Sequence, residues 1–106
     1  MPKYLLHGSY TAEGAKGLIK EGGSQRRATV ERTLQALNVR VEGFYYSLGE
    51  DDVYVIVDAP DNTTIAAVSM AVNAAAAVRL KTTVLLTTED IDAATKKSID
   101  YRAPGR

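Results

Sequence analysis

Apolar positions along the chain switch between a spacing of two and a helical spacing, and the switch points divide it into elements. Val53-Tyr54-Val55-Ile56-Val57 is an unbroken β-branched and aromatic run between an acidic turn and a Pro-Asp-Asn helix entry. That is the pattern of a central strand buried on both faces. Upstream, Lys3 to Tyr10 predicts a first strand with Tyr4, Leu6 and Gly8 on one face and Leu5, His7 and Ser9 on the other. Thr11 suits the N-cap of the helix that follows. Ala15, Leu18, Ile19, Val30, Leu34 and Leu37 keep one helical phase, which also places Gly22 and Arg26 on the buried stripe. One straight helix from Ala12 to Leu37 would run roughly 39 Å, against about 26 Å for an eight-residue strand. The pair Gly22-Gly23 therefore predicts a kink or break, with Ser24 capping a second segment that Asn38 closes.

Val39 to Leu48 predicts a second strand with Val39, Val41, Gly43 and Tyr45 on one face and Arg40, Glu42, Phe44 and Tyr46 on the other. Gly49-Glu50-Asp51-Asp52 has hairpin length, so strands two and three are expected to be antiparallel neighbours. Asp61 or Asn62 caps a helix through TTIAAVSMAVNAAAAV, which is apolar most of the way round. Asn73 interrupts it, and a packing role is its ordinary explanation. Leu80 to Leu86 predicts the fourth strand, and Thr87 or Thr88 opens a short helix containing Glu89 to Lys97. The ending SIDYRAPGR reads as an extended arm.

The resulting fold class is α+β. It is a ferredoxin-like βαββαβ sandwich with a four-stranded antiparallel sheet, a short extra C-terminal helix and an extended tail, in one domain over residues 1–106. Two helices cover one sheet face, and the other would carry Leu5, Phe44, Tyr46, Tyr54 and Ile56. Such a face is too apolar for water and should meet a second sheet, so the chain is expected to be a homodimer or a higher oligomer.

Composition narrows the partners. Of 106 residues, 45% are hydrophobic and 25% charged, with thirteen basic and thirteen acidic side chains. No net field favours nucleic acid or an anionic membrane, and neither is expected as a partner. The chain has no cysteine, and its N-terminal apolar run is too short for a signal peptide or a membrane span. These features fit a reducing cytoplasm. One His and no Cys leave no metal-ligand set, and no cofactor is implied.

His7 is the candidate catalytic residue, because an imidazole on the face a partner covers is suited to general-base work. A lone histidine there is more often a hydrogen-bonded interface residue. Arg26 on an apolar stripe predicts either an anion site or, more ordinarily, a salt bridge to Asp52 or Asp58. Phe44, Tyr46 and Tyr54 could line a planar organic ligand, although aromatics on a half-buried sheet are more often interface core. Lys81 reads as a solvated strand-end residue.

The segments KEGGSQRR, VYVIVDAPDN, LKTTVLLT and KKSIDYRAPG together resemble the GYD domain family over nearly the whole chain. The resemblance implies a ferredoxin-like fold whose sheets pair into a dimeric α/β barrel, in a family whose members largely lack an assigned activity. The Gly-x-Tyr-Asp motif maps onto Gly49-Glu50-Asp51-Asp52, with Asp51 in place of the tyrosine. Relatives often carry glutamine at position 7. The wider fold serves cofactor-free monooxygenases, isomerases, haem-handling enzymes and plain binding proteins, so it does not name a reaction. The expected function is therefore a homo-oligomeric protein binding a small organic molecule or anion in a cavity between sheet and helices, in one form a cofactor-free enzyme. The alternative is a non-catalytic assembly module whose sheet face is filled by its partner.

Overall fold

The computed structural model describes residues 1–106. Four strands, β1 (Lys3–Tyr10), β2 (Arg40–Tyr46), β3 (Val53–Asp58) and β4 (Val78–Leu85), form one open antiparallel sheet in the order β2-β3-β1-β4. Helices α1 (Ala12–Glu21) and α2 (Gly23–Gln35) connect β1 to β2, α3 (Asn62–Ala74) connects β3 to β4, and α4 (Thr88–Thr95) follows β4. Thr11 caps α1 by accepting from the Gly14 amide. The chain breaks at Gly22, whose φ of 88° lies where a side chain would be strained. Gly22, not Ser24, is the N-cap of α2, and Ser24 lies inside that helix.

The buried cluster lies between the sheet and its helices. Tyr4 and Leu6 of β1 and Val53, Val55 and Val57 of β3 meet Leu34 of α2 and Ile65 and Val68 of α3. The alternation along β1 holds. Along β2 it does not, because a bulge between Val41 and Gly43 leaves Glu42 as the extra residue: Val41 pairs with Val57, and Gly43 already pairs with Ile56. A bulge inserts one residue and shifts every later side chain to the opposite face. Phe44 therefore sits opposite Val55 and is buried in the core, and Tyr46 turns to the helix side, where its hydroxyl donates to the Gly23 carbonyl at 2.9 Å. Neither belongs to the open face, contrary to the strict alternation. Tyr45, the Cα partner of Tyr54, takes their place there.

Helix α3 stops at Ala74, short of the alanine run's end, because Ala76 takes a left-handed conformation at φ 63°. β4 then begins at Val78 and not at Leu80. The Thr11 hydroxyl and amide bond the Ala76 and Ala77 carbonyls, tying this turn to the start of α1. Asn73 clamps the same region, donating to the Leu80 carbonyl at 3.1 Å and accepting from its amide at 2.8 Å. Those groups lie on the edge of the sheet, where unpaired backbone would otherwise be left.

Beyond β4 the chain leaves the body. α4 has no buried residue, and Ile91, Ile99 and Tyr101 are exposed. The radius of gyration is 17.0 Å, against about 13 Å for a compact domain of this length.

Candidate functional site

The sheet presents two surfaces, and each gathers part of the expected chemistry. On the open face, the β2–β3 loop folds back beside the end of β1. The Asp52 amide donates to the Gly8 carbonyl at 2.8 Å, the Asp52 carboxylate accepts from the Tyr10 amide at 2.9 Å, and the Ser9 hydroxyl donates to the Glu50 carbonyl at 2.6 Å. These bonds fix Asp51 over the sheet. Its Oδ2 lies 2.7 Å from His7 Nδ1, and its Oδ1 lies 3.0 Å from Lys81 Nζ. His7 Nε2 in turn lies 3.0 Å from Thr83 Oγ1. The His7 ring stacks on Tyr54, with planes 4° apart and centroids separated by 5.9 Å.

The hydrogen bond from His7, then that from Lys81, holds the Asp51 carboxyl below the usual carboxylate range, and the same pairing raises Lys81. An ionised carboxylate only accepts, so it fixes the proton of a neutral imidazole on Nδ1. Nε2 is then a lone pair, and the Thr83 hydroxyl donates to it. The result is a carboxylate, an imidazole and a hydroxyl in series.

The helix side of the sheet carries an open groove of about 970 Å³ between α1/α2 and α3. Seventeen of its 24 lining residues are hydrophobic, among them Leu18, Phe44, Val55, Val68 and Val72, which suits the body of an apolar ligand. Its polar wall is Tyr10, Glu13, Lys20, Glu21 and Arg26. Arg26 pairs with Glu21 at 3.5 Å and not with Asp52 or Asp58. Asp58 is taken by Lys3 and Arg40 at 2.8 Å each, and those bonds lower its pKa. Burial, then the neighbouring Tyr46, pushes Tyr10 up to about 12.

The structure thus divides the sequence's candidates. His7 and Tyr54 meet on the open face, while Arg26, Phe44 and Tyr46 lie on the helix side, Phe44 lining the groove and Tyr46 packing edge-to-face on Phe44. Sequence reasoning missed Asp51 and Thr83. Lys81 is solvated as expected, with 63% of its side chain exposed, but it stands inside β4 and not at its start, and its ammonium pairs with the buried Asp51 carboxylate. The signal lay in strand pairing: Lys81 is the Cα partner of His7, and Thr83 is two residues further along the same face. No group of three or more His, Cys, Asp or Glu side chains could hold a metal ion, and no helix is long and apolar enough to cross a membrane.

The family model described as GYD domain matches residues 4–95, which covers the four strands except for Lys3, the first residue of β1, and all the helices. The chain belongs to the GYD domain family. No curated protein and no solved structure matches it. The match takes in both surfaces of this GYD domain, the open-face cluster and the groove.

These ionisations predict a bounded pH range of stability. Asp51 and Asp58 have depressed pKa values in the folded state, so their contribution is present above the ordinary carboxylate pKa and is lost as pH falls through the folded values. Tyr10 has a raised one, so its contribution is complete below pH ~10 and is lost as pH rises toward about 12. Urea midpoints measured from pH 2 to 12 should fall at both ends. Tyr10→Phe should flatten the alkaline fall, and an unchanged alkaline limb would remove Tyr10 as its cause.

Proposed function

We propose that this GYD-family protein is a homo-oligomeric binding protein that holds a small, mostly apolar organic molecule with an acidic end in the groove between sheet and helices. The groove itself carries the reading: about 970 Å³ of open space lined mainly by hydrophobic side chains is at the large end of small-molecule sites. Arg26 and Lys20 supply cations on a wall that is otherwise neutral or acidic. The ligand's acidic group would displace Glu21 from Arg26, and its body would lie along Val68 and Val72.

Association accompanies this reading. Only 16 of 106 residues are buried, a small core for a free-standing domain. The strand order supports a ferredoxin-like arrangement, and the open face with Leu5, Tyr45, Tyr54 and Ile56 suits pairing with a second sheet in a dimeric α/β barrel. The exposed α4 and tail favour a second reading as an assembly module, in which the arm reaches another subunit.

Native mass spectrometry of freshly purified protein, followed by titration with decanoate and decanol, tests the groove. Decanoate is expected to bind. Ala71→Trp, which fills the groove from an exposed helix position, should abolish binding of both probes. Arg26→Gln should weaken decanoate by about 10–100-fold, the loss of one charge-assisted hydrogen bond, and leave decanol unchanged. Equal binding by wild type and Ala71→Trp would sink the proposal.

A further inference from the structure

On the opposite face of the sheet the chain Asp51–His7–Thr83 has no role in the groove. Its geometry is that of an activated nucleophile: hydroxyl to base at 3.0 Å and base to carboxylate at 2.7 Å, both within the range such relays require. Each member is held. The Lys81 ammonium fixes the second oxygen of Asp51, the loop bonds to Gly8, Ser9 and Tyr10 fix its backbone, and the Tyr54 ring fixes the plane of His7. The His7 and Asp51 side chains are largely shielded, whereas Thr83 is exposed, so the hydroxyl end of the relay is the end a substrate meets.

We propose that Thr83, His7 and Asp51 form an ester-cleaving site on the open sheet face, with Thr83 as nucleophile, His7 as general base and Asp51 as its positioning carboxylate. The substrate class is a carboxylic ester with a short apolar acyl group. Leu5 is the cross-strand partner of Thr83 and is itself paired with Ile56, so an apolar floor lies beside the hydroxyl. Lys81, the Cα partner of His7 on the same face, is committed to Asp51 at 3.0 Å and so serves to position the carboxylate.

In the first step the Thr83 oxygen bonds to the ester carbonyl carbon while its proton passes to His7 Nε2. Collapse of the tetrahedral adduct breaks the carbon–oxygen bond to the alcohol, which leaves with that proton. Water then attacks the acyl-threonine and gives a proton to Nε2, and Thr83 departs, taking the proton back. The products are the acid and the alcohol. No other reactant is consumed.

The site lies on the surface that would face a second copy. Sheets stacked ~10 Å apart fill the space between them with side chains, but β4 is an edge strand, so Thr83 would stand at the rim of that interface, open to substrate from the side. The activity does not depend on the groove being a binding site, so failure of one reading leaves the other standing.

The test uses the full chain in its native assembly with 4-nitrophenyl butyrate. Wild type should release nitrophenol faster than buffer and form a butyryl adduct that peptide mass mapping places on Thr83. Thr83→Val should lose both signals and Thr83→Ser should retain them. His7→Gln should lower kcat by about 10²–10⁴-fold, and Asp51→Asn should lower kcat with KM unchanged, since it disturbs the tautomer and not the acyl site. Circular dichroism of each variant separates loss of activity from loss of fold. Wild-type hydrolysis equal to that of folded Thr83→Val, or an adduct placed on another residue, overturns the proposal.

Discussion

Phe44→Glu is expected to unfold the protein at room temperature, whereas Tyr45→Glu should leave it folded. The two positions are adjacent in β2, and strict alternation would assign the opposite outcomes. The bulge at Val41/Gly43 turns Phe44 into the core, where it packs against Tyr46 and lies across from Val55, and leaves Tyr45 65% exposed. Removing a buried phenyl ring costs about 3–5 kcal/mol, and an unpaired carboxylate in its place adds several kcal/mol more. Their sum approaches or exceeds the ~5–15 kcal/mol that stabilises a typical domain. At Tyr45 the new carboxylate points away from the core of its own chain, so the intramolecular cost is small. Near-ultraviolet circular dichroism and thermal melts of the two variants read the difference directly, and a folded Phe44→Glu would mean that the bulge is misplaced.

That contrast also marks where the sequence is legible. Strand and helix existence follows from periodicity, and the Gly22-Gly23 break follows from helix length against sheet length. Element phase is harder. A bulge adds one residue without changing composition, and Val-Glu-Gly-Phe-Tyr-Tyr reads as a continuous strand in either phase. The end of α3 is equally silent, because the stop is made by Ala76 in a left-handed conformation, and alanine carries no such preference. In the open-face cluster, His7 stood out as the one imidazole, but Asp51 and Thr83 lie 44 and 76 residues away from it in sequence. Only the pairing of β1 with β4 and the fold-back of the β2–β3 loop bring them together. The groove is a matter of how far α3 stands from α1 and α2, a quantity that no local pattern encodes.

Ile56→Glu is expected to convert the assembled protein into folded monomers. Ile56 lies on an inner strand of the open face, between its Cα partners Leu5 on β1 and Gly43 on β2, with Tyr54 two residues away. Its side chain points away from the helices, so the fold does not depend on it; Val55 and Val57 fill the core from the other side of the same strand. If two copies stack these faces about a twofold axis, one substitution enters the interface twice. Each unpaired carboxylate buried there costs about 3 kcal/mol at the low end of measured values, so the pair weakens association by roughly 10⁴-fold. Sedimentation equilibrium should then show a monomer near 11.4 kDa with native circular dichroism, alongside a larger wild type. Wild-type mass retained by Ile56→Glu would assign the interface to other surfaces, of which the exposed apolar residues of α4 and the tail are the next to test.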